Sequence, residues 1–251
     1  MANVILLPGM ACDEEAWREI APRLGERHRV SMRSPHFEHD SLAAMAAALL
    51  AGSDSRCVLI GHSMGGMVAL EAAWQARHQP GRVAGVALLG STARPDTPEL
   101  IELRTQACAL YAEGRMEEVL RANVPFAFDP ANVRDGTLVE RYIAMIRRAG
   151  ADALIRQNRV VMARPDARPR LTGIALPVLV ATGAADLLTP PEHAREMAAL
   201  LPHARLEILE HCGHMLTLEA PERVAALLID WLDTLDRPRP EDSPALREGR
   251  F

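Results

Sequence analysis

Cys57-Val-Leu-Ile-Gly-His-Ser63-Met-Gly-Gly66 decides the fold of this 251-residue chain. Its first four residues, Cys57–Ile60, are a short apolar run of the kind a strand covered on both faces requires. Met64–His78 follows with helical character until Pro80-Gly81 stops it. Between the two lies Gly61-His62-Ser63-Met64-Gly65, a G-x-S-x-G pattern. A serine at a strained strand-to-helix turn projects its hydroxyl away from the backbone. Glycine two residues to either side removes side chains that would collide where strand and helix come close. The start of the helix also places backbone N–H groups beside an oxygen that gains charge. With sixteen Gly and eight Ser in the chain, chance supplies roughly 0.03 such matches. The competing reading is a tight turn with a purely structural role.

Outward from this segment, further short apolar runs occur at Val4–Leu7, Arg29–Met32, Val83–Leu89, Pro177–Ala181 and Leu206–Leu209. Helical patterns separate them. Asp13–Leu24 carries Trp17, Ile20 and Leu24 at helical spacing, and Ser41 is placed to cap Leu42–Ala51. Strands alternating with helices predict an α/β fold, a mostly parallel six-stranded sheet with helices on both faces. The alternation breaks between Thr92 and Leu171. There Thr97-Pro98 reads as a helix start, Thr137-Leu-Val-Glu140 as a capping box, Gly150 as a stop and Ala151–Ala163 as more helix. A helical cap over one end of the sheet is expected; ordinary crossover helices are the alternative, but these are usually much shorter. The chain thus divides into a core of residues 1–94 and 171–236, a cap or lid of residues 95–170, and a Pro- and charge-rich tail, 237–251, expected to be flexible.

Composition narrows the chemistry. The formal charge of −5 gives no basic footprint for nucleic acid. All 28 basic residues are Arg, so Schiff-base and pyridoxal chemistry, which need a Lys amine, are excluded. Cys12, Cys57, Cys108 and Cys212 are scattered without metal-ligand spacing and read as reduced thiols. The N-terminus lacks the charged region of a signal peptide, and no run of 18 apolar residues occurs. A cytoplasmic protein that does not engage membranes is expected. His36-Phe-Glu-His39-Asp40 offers metal-ligand types, but a solvated polar loop is the favoured reading, and no metal or cofactor is expected.

A serine hydroxyl is a poor nucleophile until a histidine accepts its proton and a carboxylate holds that histidine. Asp186 follows the run Pro177–Ala181, and His214 follows Leu206–Leu209. With Ser63, all three groups lie after strand C-termini, which share one edge of a parallel sheet. Each also has a duller reading. Asp186 alone suits a cap for the helix after Pro190, and His211 competes with His214 for the base. Gly213 favours His214, because it frees the loop to turn inward. The second oxyanion donor, besides the Met64 N–H, is expected to be the Met10 N–H in the turn Leu7-Pro8-Gly9-Met10.

PGM, GHSMGG, the Gly183–Asp186 turn and HCGHMLTLEAPERV together resemble the α/β-hydrolase superfamily, over the chain up to about Leu235. The resemblance implies the order Ser63, Asp186, His214 and a final helix at Pro221–Leu235. It also implies a minimal six-stranded form lacking the first two strands of the common eight. Pro8-Gly9 stands where most relatives have His-Gly. Ser63 argues against the dehalogenases and epoxide hydrolases, which use a carboxylate nucleophile. The absent Lys argues against the hydroxynitrile lyases, and Met215 stands where carbon–carbon bond hydrolases carry Trp. A hydrolase of a small carboxylic ester, thioester or lactone, working through an acyl-enzyme, is the function implied.

Around this chemistry Leu187, Met215, Phe126 and Phe128 are the candidates for lining an apolar substrate pocket, with core packing as the alternative. Cys12 and Cys212, although close to the motifs, read as packing residues. Two rivals share the same residues: acyl transfer or perhydrolysis by the same triad, and a non-catalytic receptor for a small ligand on this scaffold.

Overall fold

Every apolar run named above forms a strand in the computed structural model, which describes residues 1–53 and 56–235. The strands are β1 (Asn3–Leu7), β2 (Arg29–Met32), β3 (Cys57–His62), β4 (Val83–Leu89), β5 (Val178–Gly183) and β6 (Ala204–Leu209). All neighbours pair in parallel, in the order β2-β1-β3-β4-β5-β6. The central strands read as continuous apolar runs because alternate residues feed two cores. Val4, Leu6, Val58 and Ile60 face one, whereas Ile5, Leu7, Cys57 and Leu59 face the other.

The helices are α1 (Ala21–Gly25), α2 (Leu42–Ala51), α3 (Met64–Gln75), α4 (Pro98–Ala112), α5 (Met116–Ala127), α6 (Gly136–Met162), α7 (Arg168–Leu171), α8 (Pro191–Leu200), α9 (Leu216–Glu219) and α10 (Pro221–Leu235). On one face α2, α3 and α8 bury Met45, Leu49, Val68 and Met197. On the other, α10 buries Val224, Leu228 and Trp231 beside Trp17, Ile20 and Leu24. No helix among the described residues is long and apolar enough to cross a membrane.

Two local expectations need correction. Asp13–Leu24 is not one helix but a 3-10 turn, Glu14–Trp17, followed by α1. Pro22 lacks the N–H that would bond the Arg18 carbonyl, so the helix restarts rather than continues. The cap of α6 is Asp135, which accepts from Thr137 N and Leu138 N at 3.0 and 3.2 Å, and not Thr137. Helix α5, with Pro125 near its end, was not read from the sequence. Gly150 does interrupt α6, at φ 83° and ψ 168°, but the chain then resumes as helix at once. The expected tail, 237–251, lies outside the described residues.

Four helices, α4–α7, separate β4 from β5. Their core residues Tyr111, Leu120, Tyr142 and Ile146, with Phe128 just after α5, are continuous with one sheet core. They also reach loops at the C-terminal sheet edge: the Ala127 carbonyl at the end of α5 accepts from His214 N at 3.0 Å and Met215 N at 3.1 Å.

Close approach at Gly65 sets the position of α3. A methyl group there would overlap the carbonyl oxygens of Leu7 and Pro8, and one at Gly61 would overlap the Gly65 carbonyl. Gly65→Ala is therefore expected to destabilise the fold by about 3 kcal/mol, since neither contact atom is a movable side chain. A shift in the urea midpoint checks this.

Candidate active site

Ser63 sits between β3 and α3 at φ 52° and ψ −116°, a left-handed conformation costly for a side-chain-bearing residue. The surroundings hold it there. Its N–H donates to Leu89 O at 2.8 Å, and its carbonyl accepts from Gly66 N at 3.0 Å and from Ser91 Oγ at 2.9 Å. This strained turn brings the hydroxyl oxygen within 3.0 Å of His214 Nε2. His214 Nδ1 lies 2.9 Å from Asp186 Oδ2. Three side chains distant in the sequence thus form one continuous hydrogen-bonded line.

The carboxylate end of that line is fixed from every side. Asp186 is 1% exposed. Oδ1 accepts from Leu188 N and Thr189 N at 2.9 and 2.8 Å; Oδ2 accepts from Thr189 Oγ1 at 2.8 Å and Thr182 Oγ1 at 3.3 Å. Burial pushes this carboxyl upward, but the His214 imidazole and these donors outweigh it and hold the group below its ordinary value. An ionised Asp186 accepts the proton on Nδ1, so Nε2 is left as the acceptor facing Ser63.

The alpha/beta hydrolase family model matches residues 4–227. The chain belongs to the alpha/beta hydrolase family. Among curated relatives, it is 29% identical to a pimeloyl-[acyl-carrier protein] methyl ester esterase of Edwardsiella ictaluri, covering 92% of this chain and 93% of that one. It is 27% identical to a 2-hydroxy-6-oxo-6-phenylhexa-2,4-dienoate hydrolase of Comamonas testosteroni, covering 90% and 84%. Among solved structures, a thermophilic esterase from Thermogutta terrifontis superposes with a TM-score of 0.84 at 26% identity, covering 94% of this chain and 91% of that one.

In this alpha/beta hydrolase the turn after β1 packs on the elbow. A methyl group on Gly9 would stand 3.1 Å from His62 Nδ1 and 3.2 Å from Ser63 Cβ. Gly9 O accepts from Cys12 N at 3.1 Å, closing a tight turn in which Ala11 has φ 52°. That conformation suits Gly and costs Ala about 1–2 kcal/mol. Two buried side chains hold the turn. Ala11 N donates to Gln157 Oε1 at 2.7 Å, and His36 Nε2 lies 3.1 Å from Cys12 O. Burial, with Arg156 nearby, pushes His36 down to about 4, so the neutral ring donates through Nε2.

This overturns the solvated reading of His36, which is buried because it braces the turn. Among the described residues no group of three or more His, Cys, Asp or Glu is placed to hold a metal ion. Burial raises Cys12 to about 12 and raises Cys212 as well, so both thiols stay protonated.

The other site residues separate into two groups. Phe126 and Leu187 are exposed, at 49% and 60%. Phe126 precedes the residue that receives the His214 N–H, and Leu187 follows Asp186. Phe128, Met215 and Met64 are buried, and Phe128 stacks edge-on against Tyr142. Met10 is half-buried beside both cores.

His211 is an exposed turn residue at φ 55°, and His214 is the histidine that faces Ser63. The turn's left-handed residue is therefore His211 rather than Gly213. Gly213 is needed for another reason: a methyl group there would stand 2.6 Å from Asp129 N and Phe128 C.

Three supporting residues were not read from the sequence. Glu219 accepts from Gly213 N at 2.9 Å, Asp129 N at 2.8 Å and Asn132 Nδ2 at 2.8 Å, tying the His214 loop to the insertion. His62 Nε2 donates to the His214 carbonyl at 2.8 Å, and burial followed by the neighbouring His214 drives its pKa down to about 3. Gln157 is the third. Apart from Gly213, six residues before Glu219, their partners are far away in the chain, so no local pattern announces them. Glu219→Ala is expected to cost about 2 kcal/mol, because it strips two backbone donors of a charged acceptor; thermal unfolding reads this.

Proposed function

We propose that this alpha/beta hydrolase cleaves carboxylic esters through an acyl-enzyme on Ser63 and needs no cofactor. The observation that carries the reading is the unbroken line from Asp186 through His214 to Ser63, at 2.9 and 3.0 Å. His214 Nε2 takes the hydroxyl proton as Ser63 Oγ bonds to the ester carbonyl carbon. Asp186 stabilises the imidazolium that results. The N–H groups of Met10 and Met64 receive the oxyanion. His214 then hands the proton to the departing alcohol. It next draws one from water as the water oxygen bonds to the acyl carbon, and returns that proton to Ser63 Oγ as the bond to the acyl group breaks and the acid departs.

Phe126 and Leu187, both exposed, give the acyl group an apolar wall, with the buried Met215 and Phe128 behind it. A methyl ester esterase among the relatives supports a small leaving alcohol. We assign residues 95–170 to a lid over the site and place the reaction in the cytoplasm.

A panel of p-nitrophenyl esters of increasing acyl length, with a fluorophosphonate label located by mass spectrometry, tests the reading. Label on Ser63 and turnover of the shorter esters support it. Tight ligand retention without turnover would replace it with a receptor. Ester formation with an added alcohol in preference to hydrolysis would replace it with acyl transfer.

A further inference from the structure

The turn that offers the Met10 N–H is made by residues near the start of the chain, but it is held by a helix far along it. Gln157 lies in the second part of α6, beyond the break at Gly150, and is fully buried. Both ends of its amide are engaged. Oε1 accepts the Ala11 N–H at 2.7 Å, and Nε2 donates to the His36 carbonyl at 3.1 Å. His36 in turn grips the Cys12 carbonyl from the other side at 3.1 Å. Arg156, the preceding residue, donates to the Phe37 carbonyl at 2.7 Å, so the His36 segment is itself pinned by α6.

The chemistry of the turn explains why it needs holding. Ala11 is left-handed at φ 52°, where Gly would be at ease. Without an acceptor for its N–H, the Met10–Ala11 peptide plane is free to flip and release that strain. A flip re-aims the turn and moves the neighbouring Met10 N–H.

We propose that Gln157 is a positioning residue for the oxyanion turn, so that the inserted helices set the geometry of transition-state stabilisation as well as covering the site. The inference rests on the esterase reading above. An amide is required, since one oxygen and one N–H face two backbone groups of opposite character. A carboxylate of the same shape sets an oxygen against the His36 carbonyl, and an apolar side chain leaves both groups unpaired.

Gln157→Glu and Gln157→Ala are compared with the unaltered enzyme and with Ser63→Ala, using a p-nitrophenyl ester. Binding of an alkyl trifluoromethyl ketone is measured beside that of the product carboxylic acid. The ketone adds Ser63 Oγ at its carbonyl carbon and leaves a hemiketal oxyanion, with the serine proton on His214. Displacing one donor of an oxyanion hole costs on the order of 10–100-fold in rate. Both variants should lose that factor in kcat with KM little changed. Ketone affinity should fall in parallel, and affinity for the acid should not.

Replacing Ala11 by Gly in the Gln157→Ala background should restore much of the rate, because Gly holds the left-handed turn unaided. A residue that merely fills space would not show that rescue. The double variant and Gln157→Glu also carry the test should Gln157→Ala fail to fold. Unchanged kcat and ketone affinity in folded variants would overturn the proposal while Ser63→Ala stays inactive. An unaltered enzyme that neither hydrolyses esters nor takes the label at Ser63 would overturn the esterase reading as well, and this proposal with it.

Discussion

Ser63→Ala should lower kcat for a p-nitrophenyl ester by about 10⁶-fold, the loss expected when a nucleophile and its base act as one unit. The hydroxyl is the atom on which the relay converges, and nothing nearby replaces it. The Ser91 and Thr189 hydroxyls nearby are engaged with the Ser63 carbonyl and the Asp186 carboxylate, and burial keeps the Cys12 and Cys212 thiols protonated. The substitution should leave the fold intact, because the Ser63 backbone makes the elbow's bonds to Leu89 and Gly66. Circular dichroism and the urea midpoint should match those of the unaltered chain, while the fluorophosphonate label disappears. Retention of most of the esterase rate would remove Ser63 from the mechanism.

Asp186→Asn should cost about 10⁴-fold in kcat, the scale seen when a triad carboxylate becomes an amide. The reason lies in its donors. Oδ1 accepts two backbone N–H groups, and Oδ2 faces His214 Nδ1 and two threonine hydroxyls. An amide that keeps its oxygen toward the backbone donors must turn its NH₂ toward His214. Nδ1 then becomes the acceptor, the ring proton moves to Nε2, and the base faces Ser63 already occupied.

The same comparison predicts a pH dependence of stability. The native carboxyl lies below its ordinary value, so its stabilising effect is complete above the unfolded value of about 3.9. That effect is lost as pH falls through the lower native value. The pH-dependent part of the stability gap between unaltered protein and Asp186→Asn should therefore be flat near neutrality and shrink below about pH 4. Urea unfolding across that range measures it, and a gap that widened on acidification would contradict the assignment.

What could be read in advance follows from the range of the interactions. Strands covered on both faces announce themselves as apolar runs, so Val83–Leu89 was delimited without help from the rest of the chain. The elbow was legible because the space restriction at Gly61 arises inside the strand–turn–helix unit, against Gly65 and Gly66, with that at Gly65 added where the unit meets β1. Asp186 and His214 were legible as loop residues after strands, although only the structure brings them together.

Gln157 and Glu219 escaped for the opposite reason. Their partners lie 146 and 90 residues away, at Ala11 and Asp129. The broken helix before α1 and the cap at Asp135 were missed through nearer competition. Pro22 and Asp135 decided boundaries that apolar spacing alone left open.

The bonds from Ala127, Glu219 and Gln157 also bear on redesign. Helices inserted in a fold of this kind invite exchange as a cassette, since they are contiguous in the chain between β4 and β5. Here a wholesale swap would remove the braces of both reacting loops, and a chimera could fold with a sound sheet yet turn over poorly. Diversity is better introduced in residues 98–126 and 136–155, leaving 127–132, Arg156 and Gln157 as fixed anchor points on the recipient scaffold.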